Sequence, residues 1–419
     1  MTIVLVDIFW FIVTFSILVV LHEGGHFLVA RAFGVHVHEF MIGLPGPAIR
    51  IHGKKTDYGV TAVPLGGYVR ISGMEPGPED TRLGAVLAYV TRRQHATTDE
   101  VARDLGLDLD DADMLLATLV DWAAIKRDAT DEYTFDATHP AESGDDQSAL
   151  LDLARSTTYR GLPAWKRILV LSAGVVVNLI SAILVFVLVL TLYGIPTETL
   201  KIDLLSPGGG AAAAGLKAGD TITTIDGHKL ADWGALVTSV MKHHVGDRVT
   251  VLADRDGVSR TFVVTLGADG KRPLLGVQGA AVNVRQSVLD ALKLSFGLIG
   301  QVFQAIGGFF TPATFQKSVA SSTGVIGIAQ LAGQEAQRGP IDYAFFIALL
   351  SLSLGAMNIL PIPPLDGGKV AIELIEAAWR RPLSRRLSIG ISLAGTALLV
   401  ALIGYLMYAD VMRIVVHGG

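Results

Sequence analysis

Long apolar stretches constrain this chain more than any other feature of its sequence. A run of about 18 or more apolar residues is what a membrane-spanning helix requires. Four segments of the chain contain such a run: residues 1–33, 165–194, 342–368 and 387–410. The polar stretches between them predict soluble parts, and a charged fraction of only 17% fits a membrane protein. We therefore expect a polytopic α-helical membrane protein with four transmembrane helices, the first of them retained rather than removed as a signal.

The distribution of basic residues predicts the orientation of these helices, because loops on the cytoplasmic side carry an excess of Lys and Arg. Basic residues lie near the predicted helix ends in 34–166 and between the third and fourth helices: Lys54, Lys55, Arg70, Arg160, Lys166, Lys369, Arg380, Arg381, Arg385 and Arg386. The start of the segment 195–341 is poor in them. Both termini and the segment 195–341 should therefore be extracytoplasmic.

Two different soluble parts are predicted between the first two helices. In region 34–80, "YGVTAVPLGGYVRISGM" (58–74) is rich in β-branched residues and is interrupted by Pro64, Gly66 and Gly67. This pattern predicts a membrane-associated β-hairpin or looped strand pair. Residues 81–160 show helical spacing, a glycine turn, a second helical run and a strand-like end. That order resembles a cytoplasmic winged-helix-like insertion.

The segment after the second helix predicts a separate folded module. Within 198–282, residues 204–266 combine short β-rich runs with one helical run at 232–243 and end in a strand pair about the turn Asp256-Gly257. We expect a compact α+β, PDZ-like domain there. Residues 283–341 are expected to form an amphipathic extracytoplasmic connector. Within them, 287–310 are apolar with scattered polar positions, which predicts a helix on the membrane surface rather than a fifth span.

Three ionisable residues interrupt the first apolar stretch in "LVVLHEGGHFLVA" (18–30). His22 and His26 are four residues apart and share one face of a helix, so their imidazoles can bind one zinc ion. Glu23 then stands beside the metal, where it can take a proton from water. A buried structural polar network is the alternative, but an unpaired glutamate in hydrocarbon costs at least about 2.5 kcal/mol. The chain has no cysteine, so any metal must be held by His, Asp, Glu or carbonyl oxygen.

The third apolar stretch offers the missing ligand. A catalytic zinc usually has three protein ligands and one open position, and "MNILPIPPLDGGKV" (357–370) places Asp366 after prolines that cannot continue a helix. An unwound backbone at membrane depth is tolerated only where it is buried in protein or lines a cavity. Gly367 and Gly368 let the backbone turn tightly behind Asp366. We expect the first and third helices to lie antiparallel, with their ligands at one depth.

In this order "HEGGHF", "GGYVRISGM", a PDZ-like module and "NILPIPPLDGG" resemble the site-2-type intramembrane zinc metalloproteases, and specifically the bacterial RseP-like group with one PDZ domain. The resemblance covers nearly the whole chain except the insertion. It implies a multi-pass protein of the bacterial cytoplasmic membrane that binds Zn2+ through His22, His26 and Asp366. It also implies that Glu23 is the general base of an endopeptidase.

The resemblance further implies several supporting residues. Asn358 resembles a polar residue near the family's site, and Asn178 resembles a recurrent asparagine of the second span, for which an interhelical hydrogen bond is an equal alternative. The element around Gly66, Gly67 and Tyr68 resembles one that holds an unwound substrate by strand addition. The implied partners are single-span membrane proteins already cleaved on the extracytoplasmic side, such as anti-sigma factors, or remnant signal peptides.

The insertion does not have the charge of a DNA-binding module. Residues 92–140 contain twelve acidic and five basic residues, whereas phosphate contacts need a basic surface. A cytoplasmic protein regulator, or a purely structural insertion, fits better than nucleic acid. Two other functions are considered for the whole chain. It could be a non-catalytic receptor or scaffold that uses its PDZ-like and winged-helix-like modules, or a metal transporter, against which the lack of repeated halves argues.

Overall fold

The computed structural model describes residues 2–64, 66–75, 77–128, 131, 133–138, 147–270 and 272–417. The chain divides into two compact units. The larger comprises Met1–Phe186 and Ser295–Gly419, and the smaller comprises Val187–Leu294. The smaller unit contains the segment predicted to form the α+β module, while the larger contains the residues of the predicted zinc site.

Helices account for most of the larger unit. In chain order the helices of the described residues are α1 (Thr2–Ala32), α2 (Leu83–Arg93), α3 (Thr98–Leu105), α4 (Leu109–Asp121), α5 (Gln147–Ser156), α6 (Ala164–Leu192), α7 (Gly210–Ala213), α8 (Trp233–Val240), α9 (Val288–Gly308), α10 (Pro312–Ser321), α11 (Val325–Arg338), α12 (Pro340–Asn358), α13 (Asp366–Trp379) and α14 (Arg385–His417). By length and composition alone, five helices of the described chain could cross a membrane: α1, α6, α9, α12 and α14. Four of them correspond to the predicted spans, and the fifth, α9, lies in the predicted surface connector.

A four-stranded sheet follows α1. Its strands are β1 (Val37–Ile42), β2 (Ala48–His52), β3 (Asp57–Thr61) and β4 (Gly67–Ile71), in the order β2-β3-β1-β4. The prediction of a hairpin within 58–74 was wrong, because β3 and β4 lie on opposite sides of β1 and do not pair with each other. β3 instead forms a hairpin with β2. The strand β4 is therefore an edge of the sheet, and its Gly67 end lies against Val19 of α1.

The relative directions of the long helices follow from contacts within the larger unit. α6 runs antiparallel to α1, because His26 contacts Val170 whereas His22 contacts Asn178. α12 runs parallel to α1, because the rings of Trp10 and Tyr343 are 4.9 Å apart near the starts of the two helices. At the other end, Asp366, which follows α12 in the chain, lies 2.9 Å from His22. The expected antiparallel arrangement of α1 and α12 was therefore wrong. His22 and His26 lie toward the carboxyl end of α1, and Asp366 lies just beyond the carboxyl end of α12. The two helices must therefore run in the same direction to bring these side chains together.

The end of α12 has the predicted break. The helix stops at Asn358, and the prolines of the following segment lack the N–H group that an α-helix needs. α13 then begins at Asp366 itself. Gly367 and Gly368 do not have positive φ angles, so their function is to leave space: an added Cβ would lie 2.3 Å from the Ile359 carbonyl oxygen and 2.2 Å from the Pro363 nitrogen, respectively. The space they leave lets the unwound segment lie against the first turn of α13.

The insertion has its own hydrophobic core. Helices α2, α3 and α4 surround a sheet of β5 (His95–Thr97), β6 (Ile125–Arg127) and β7 (Thr134–Ala137), in the order β5-β7-β6. Trp122, Phe135 and Leu116 are fully buried in this core. Tyr159, which follows α5, belongs instead to the cluster that contains Ala30 of α1 and Val37 of β1. The last residues of the segment 81–160 therefore pack with the membrane helices rather than with the insertion.

The smaller unit is the α+β module. Its main sheet is formed by β8 (Ile195–Leu205), β9 (Thr221–Ile225), β10 (His228–Lys229), β11 (Arg248–Arg255), β12 (Val258–Thr265) and β15 (Val277–Val284), and a small ladder by β13 (Gly267–Asp269) and β14 (Arg272–Leu274). The predicted turn joins β11 to β12, with positive φ at both Asp256 and Gly257. The helical run predicted at 232–243 is α8. Asp220 is buried at the start of β9, where the Arg255 guanidinium keeps the pKa of its carboxyl below the usual range.

Two side chains near the end of α14, the buried carboxylate of Asp410 and the guanidinium of Arg413, hold helices α11 and α10. Asp410 accepts hydrogen bonds from the backbone N–H groups of Gly324 and Gly327, at 3.0 and 3.1 Å. These groups lie at the start of α11, where no intrahelical acceptor exists for them. Arg413 donates to the carbonyls of Ser322 and Val319 at the end of α10. α14 therefore supplies the cap of one helix and the terminal partners of the other.

Candidate metal centre

The structure brings the three predicted ligands together although they are up to 344 positions apart in the sequence. His22 Nε2 and His26 Nε2 lie 2.9 and 3.1 Å from the same oxygen of Asp366, Oδ2. The two Nε2 atoms are 3.4 Å apart. All three side chains are buried, and within the described residues they form the one cluster of three or more such side chains spaced to hold a metal ion.

The triangle of ligand atoms has the dimensions of a zinc site. Zinc binds imidazole nitrogen and carboxylate oxygen at about 2.0–2.2 Å, so that ligand atoms at tetrahedral angles lie about 3.3–3.5 Å apart. The observed separations of 2.9 to 3.4 Å are close to this spacing. Two histidines and one carboxylate leave one position of a tetrahedral ion open, as catalytic zinc sites do. The residues present therefore fit a zinc ion.

The second nitrogen of each imidazole contacts α6. His26 Nδ1 lies 2.7 Å from the Val170 carbonyl oxygen. A carbonyl only accepts, so Nδ1 carries the proton and Nε2 keeps its lone pair for a metal. His22 Nδ1 lies 3.2 Å from Asn178 Nδ2. Asn178 is fully buried, and its Oδ1 has no hydrogen-bond partner within the part of the chain that the structure describes.

Two glycines allow α1 and α6 to approach closely at the cluster. An added Cβ at Gly174 would lie 2.4 Å from His26 Nε2 and 2.9 Å from His22 Nδ1. An added Cβ at Gly25 would lie 2.6 Å from the Ala173 carbonyl oxygen. Sequence analysis missed this function. The signal was present, because the "SAG" triplet of α6 lies one turn before Asn178 and small residues mark close helix contacts in membranes.

Glu23 and Lys369 complete the charged groups of the centre. The Glu23 carboxylate is partly buried on the turn that carries His22 and interacts electrostatically with all three ligand side chains and with Lys369. Lys369 Nζ lies 3.4 Å from Asp366 Oδ1, the oxygen that the histidines do not contact. Sequence analysis did not single out Lys369 as part of the site. Its position three residues after Asp366 on α13 could have indicated the contact.

The other predicted site residues lie around the centre rather than in the ligand cluster. Asn358 is buried at the end of α12, where its amide donates to the Leu354 carbonyl. Gly66 and Gly67 lie at the start of β4, where an added Cβ on Gly67 would lie 2.6 Å from Val19. The Tyr68 hydroxyl donates to Glu39 on the neighbouring strand β1.

A second buried network joins α13, which begins at Asp366, to the start of α6. Arg167 at the start of α6 forms an ion pair of 2.9 Å with Glu373 of α13, and the Tyr159 hydroxyl donates to the other oxygen of Glu373. Burial raises the pKa of the Glu373 carboxyl, and burial together with Glu373 raises the pKa of the Tyr159 phenol. Glu373 lies two turns after Asp366, so the ion pair fixes the helix that carries this ligand against α6.

Two imidazoles and an adjacent glutamate on a helix of membrane-spanning length, together with a carboxylate, are the groups that a membrane-embedded zinc metalloprotease requires. Residues 10–402 match the family described as peptidase family M50, and the chain belongs to that family. The "Regulator of sigma-W protease RasP" of Bacillus subtilis is 27% identical, with 96% of this chain and 98% of the relative aligned. The "Zinc metalloprotease RasP" of Geobacillus kaustophilus is also 27% identical, over 96% of this chain and 97% of the relative.

The comparisons confirm the predicted class of protein. The chain is a membrane zinc metalloendopeptidase of the site-2 protease type, and Zn2+ is its cofactor. They support this function over the receptor or scaffold alternative. Among solved structures, the PDZ domain of an SdrC-like protein from Listeria monocytogenes is 27% identical, covering 21% of this chain and 87% of its own, with a TM-score of 0.16.

Proposed function

We propose that His22, His26 and Asp366 hold the catalytic zinc and that Glu23 is the general base. The main support for this proposal is the set of distances between the three ligand atoms. Bound zinc supplies the Lewis acidity that makes water a nucleophile and polarises the scissile carbonyl. The Glu23 carboxylate takes the proton from the attacking water and passes it to the departing amide nitrogen. Lys369 holds Asp366 Oδ1, which leaves Oδ2 directed at the histidines.

In this proposal Asn178 orients the imidazole of His22 by a hydrogen bond. A histidine that binds metal through Nε2 carries its proton on Nδ1 and needs an acceptor for it. Asn178 Oδ1 is a buried acceptor with no partner among the described residues, and a 180° flip of the side-chain amide brings it to the His22 Nδ1–H. Asn178 is then a positioning residue for the first ligand, rather than only an interhelical contact.

The substrate class that fits this site is a single-span membrane protein already cleaved on its extracytoplasmic side. The name of the Bacillus subtilis relative, a regulator of sigma-W, supports anti-sigma factors as such substrates, with remnant signal peptides as a second group. A peptide bond inside a helix is shielded, so the substrate must unwind before hydrolysis. The free edge of β4 beside Val19 of α1 can pair with an unwound strand near the metal centre.

Four of the five membrane-length helices cross the bilayer in this proposal. The rings of Phe186, on α6, and Phe345, near the start of α12, are 5.0 Å apart, so α12 begins on the side of the membrane where α6 ends. An even number of crossings must lie between them. α9 is the one other membrane-length helix of the described residues in that interval, so it lies on the surface. The basic residues around α13 support a cytoplasmic position for the side on which α12 ends, with both termini and the α+β module on the opposite, extracytoplasmic side.

The insertion is a winged-helix unit that regulates the protease through a protein partner. Its element order, with three helices and the sheet order β5-β7-β6, supports the winged-helix fold. The helix that reads DNA in such folds is α4, and here its last residue, Asp121, accepts hydrogen bonds from the Ser72 hydroxyl and the Gly73 N–H beyond β4. α4 is therefore engaged with the rest of the chain and is acidic, which opposes DNA binding.

The roles of Glu23 and the ligands are tested by metal content and cleavage together. We expect the Glu23→Gln variant to bind zinc as the wild type does and to lose cleavage of a pre-trimmed single-span substrate by a factor of about 10²–10⁴, the usual contribution of a general base. Asp366→Ala should lose both zinc and cleavage. Full cleavage by zinc-loaded Glu23→Gln would refute the assigned base.

A further inference from the structure

A cavity of about 820 Å³ lies between β4 and α13. Its wall is formed by the end of β4 and the loop after it, the segment that leads into α6, one face of α13 and the first two turns of α14. All these elements belong to the larger unit. Of the side chains assigned to the reaction, Lys369 alone lines this cavity.

The wall of the cavity carries an excess of positive charge. Seven basic and four acidic side chains line it. Two of the acids are already paired, Glu79 with Arg155 and Glu373 with Arg167. Arg70, Arg380 and Arg381 line the cavity and form no ion pair with any residue that the structure describes. An occupant with negative charge would therefore be favoured, because these arginines have no carboxylate of their own.

The cavity continues the path that the proposed substrate follows. β4 begins at Gly67 beside Val19, one helical turn before His22, and its last residues, Val69, Arg70 and Ile71, form part of the cavity wall. At its other side the wall includes Lys369, whose ammonium contacts the ligand Asp366. A strand paired with the free edge of β4 would therefore pass from the metal centre into this cavity.

We propose that the cavity binds the cytoplasmic flank of the substrate and selects substrates in which this flank carries acidic side chains. The inference rests on the proposed function, since it uses strand addition at β4 and the cytoplasmic position of α13. The charge of the cavity would also make the enzyme selective among membrane proteins. Most membrane proteins have basic cytoplasmic flanks, and the surplus of arginines repels them. The cavity would thus exclude the majority of single-span proteins and admit the few whose flank is acidic.

A charge-swap experiment tests this proposal. One pre-trimmed single-span reporter is made in three forms that differ only at two positions of the cytoplasmic flank, Glu-Glu, Gln-Gln or Lys-Lys. For the wild-type enzyme in zwitterionic vesicles we expect kcat/KM to fall in that order, by about fivefold per charge, the upper range for exposed ion pairs. The double variant Arg380→Glu/Arg381→Glu makes acids outnumber bases in the wall, and it should cleave the Lys-Lys form best.

The matched control is the double variant Arg92→Glu/Arg386→Glu. It changes the net charge by the same amount on the same proposed side of the membrane, but neither residue lines the cavity. It should keep the wild-type order of the three reporters. The same order in all three enzymes, or no dependence on flank charge, would overturn the proposal. So would a rate that depends on anionic lipid in the vesicles and not on the reporter, since that result assigns the arginines to lipid headgroups. Failure of the wild type to cut any reporter would instead overturn the proposed function.

Discussion

Gly174 controls whether the two imidazoles can share one ion. Its Cα faces both rings, and an alanine there would put a methyl group 2.4 Å from the nitrogen of His26 that faces the metal. Because both helices are fixed by close packing, the rings would have to turn away from Asp366. We therefore expect Gly174→Ala to reduce zinc content and cleavage together.

Gly24→Ala is the control for this prediction, because Gly24 lies in the same "HEGGH" motif and has open space where its Cβ would be. This variant should retain zinc and activity. The zinc content of the two purified variants is measured by metal analysis. Normal zinc content in Gly174→Ala would contradict the steric argument.

A second prediction concerns the effect of Asn178 on zinc affinity. Loss of a hydrogen-bond partner behind a metal-binding histidine typically lowers metal affinity 10- to 100-fold. Asn178→Leu should show a loss of about this size in a competition assay with a zinc chelator. Asn178→Asp keeps an oxygen that accepts the His22 Nδ1–H, so it should retain most of the affinity. If both variants lose affinity equally, the side chain serves helix packing and does not orient His22.

At the level of single residues, the sequence indicated the cluster of His22, His26 and Asp366 far better than its surroundings. Ionisable groups inside an apolar stretch are costly, so the pattern of His22, Glu23 and His26 indicated a function with no need of a structure. The contribution of Gly174 could not be predicted in the same way. It depends on the distance between two helices that are about 150 residues apart in the chain, and no local pattern encodes that distance.

The position of α13 depends on one buried ion pair. Glu373 is only 5% exposed, and its partner Arg167 belongs to the helix that contacts both histidines. Removing one member of a buried pair leaves an uncompensated charge and typically costs about 3–5 kcal/mol. We expect Arg167→Met to lower thermal stability in detergent and to weaken zinc binding, because Asp366 lies at the start of the same helix as Glu373.

The double variant Arg167→Met/Glu373→Leu distinguishes charge from packing. An apolar pair of similar volume is often as stable as the ion pair it replaces, so this variant should recover most of the stability that Arg167→Met loses. Thermal unfolding followed by circular dichroism, with zinc content measured in parallel, gives the comparison. A double variant that is less stable than the single one would contradict the burial argument.

Among the secondary-structure elements, the long helices were predicted correctly, whereas one strand pairing and one helix direction were not. Long apolar runs identified α1, α6, α12 and α14, because the length of a spanning helix is fixed by the thickness of the bilayer. The pairing of β3 and β4 was predicted wrongly, since neighbouring strands usually form hairpins and the sequence gives no sign that β1 lies between them. The direction of α12 was also misjudged, although the positions of the ligands near both helix ends already required a parallel arrangement.

For the whole molecule, the insertion raises the question of whether the catalytic unit needs it. Glu79 and Arg155 form an ion pair of 2.6 Å, so the chain enters and leaves the insertion at one place. Its core contains α2, α3 and α4 with their small sheet, whereas Tyr159 packs with α1 and β1 and contacts Glu373. The segment 81–154 can therefore be replaced by a short Gly-Ser linker without removing residues that support the metal centre. Deleting 81–160 would also remove Tyr159 and leave Glu373 without its hydroxyl partner.

We expect the enzyme that lacks 81–154 to fold, to bind zinc and to cleave a pre-trimmed reporter at the wild-type rate in detergent. What it should lose is the response to cytoplasmic conditions, measured as the change in reporter cleavage between growing and stressed cells. The reason is that α4 contacts the segment after β4 through Asp121, so a partner bound to the insertion can shift the edge strand that the substrate uses. A fully retained response would show that the insertion is structural, and a complete loss of zinc would show that it belongs to the catalytic fold.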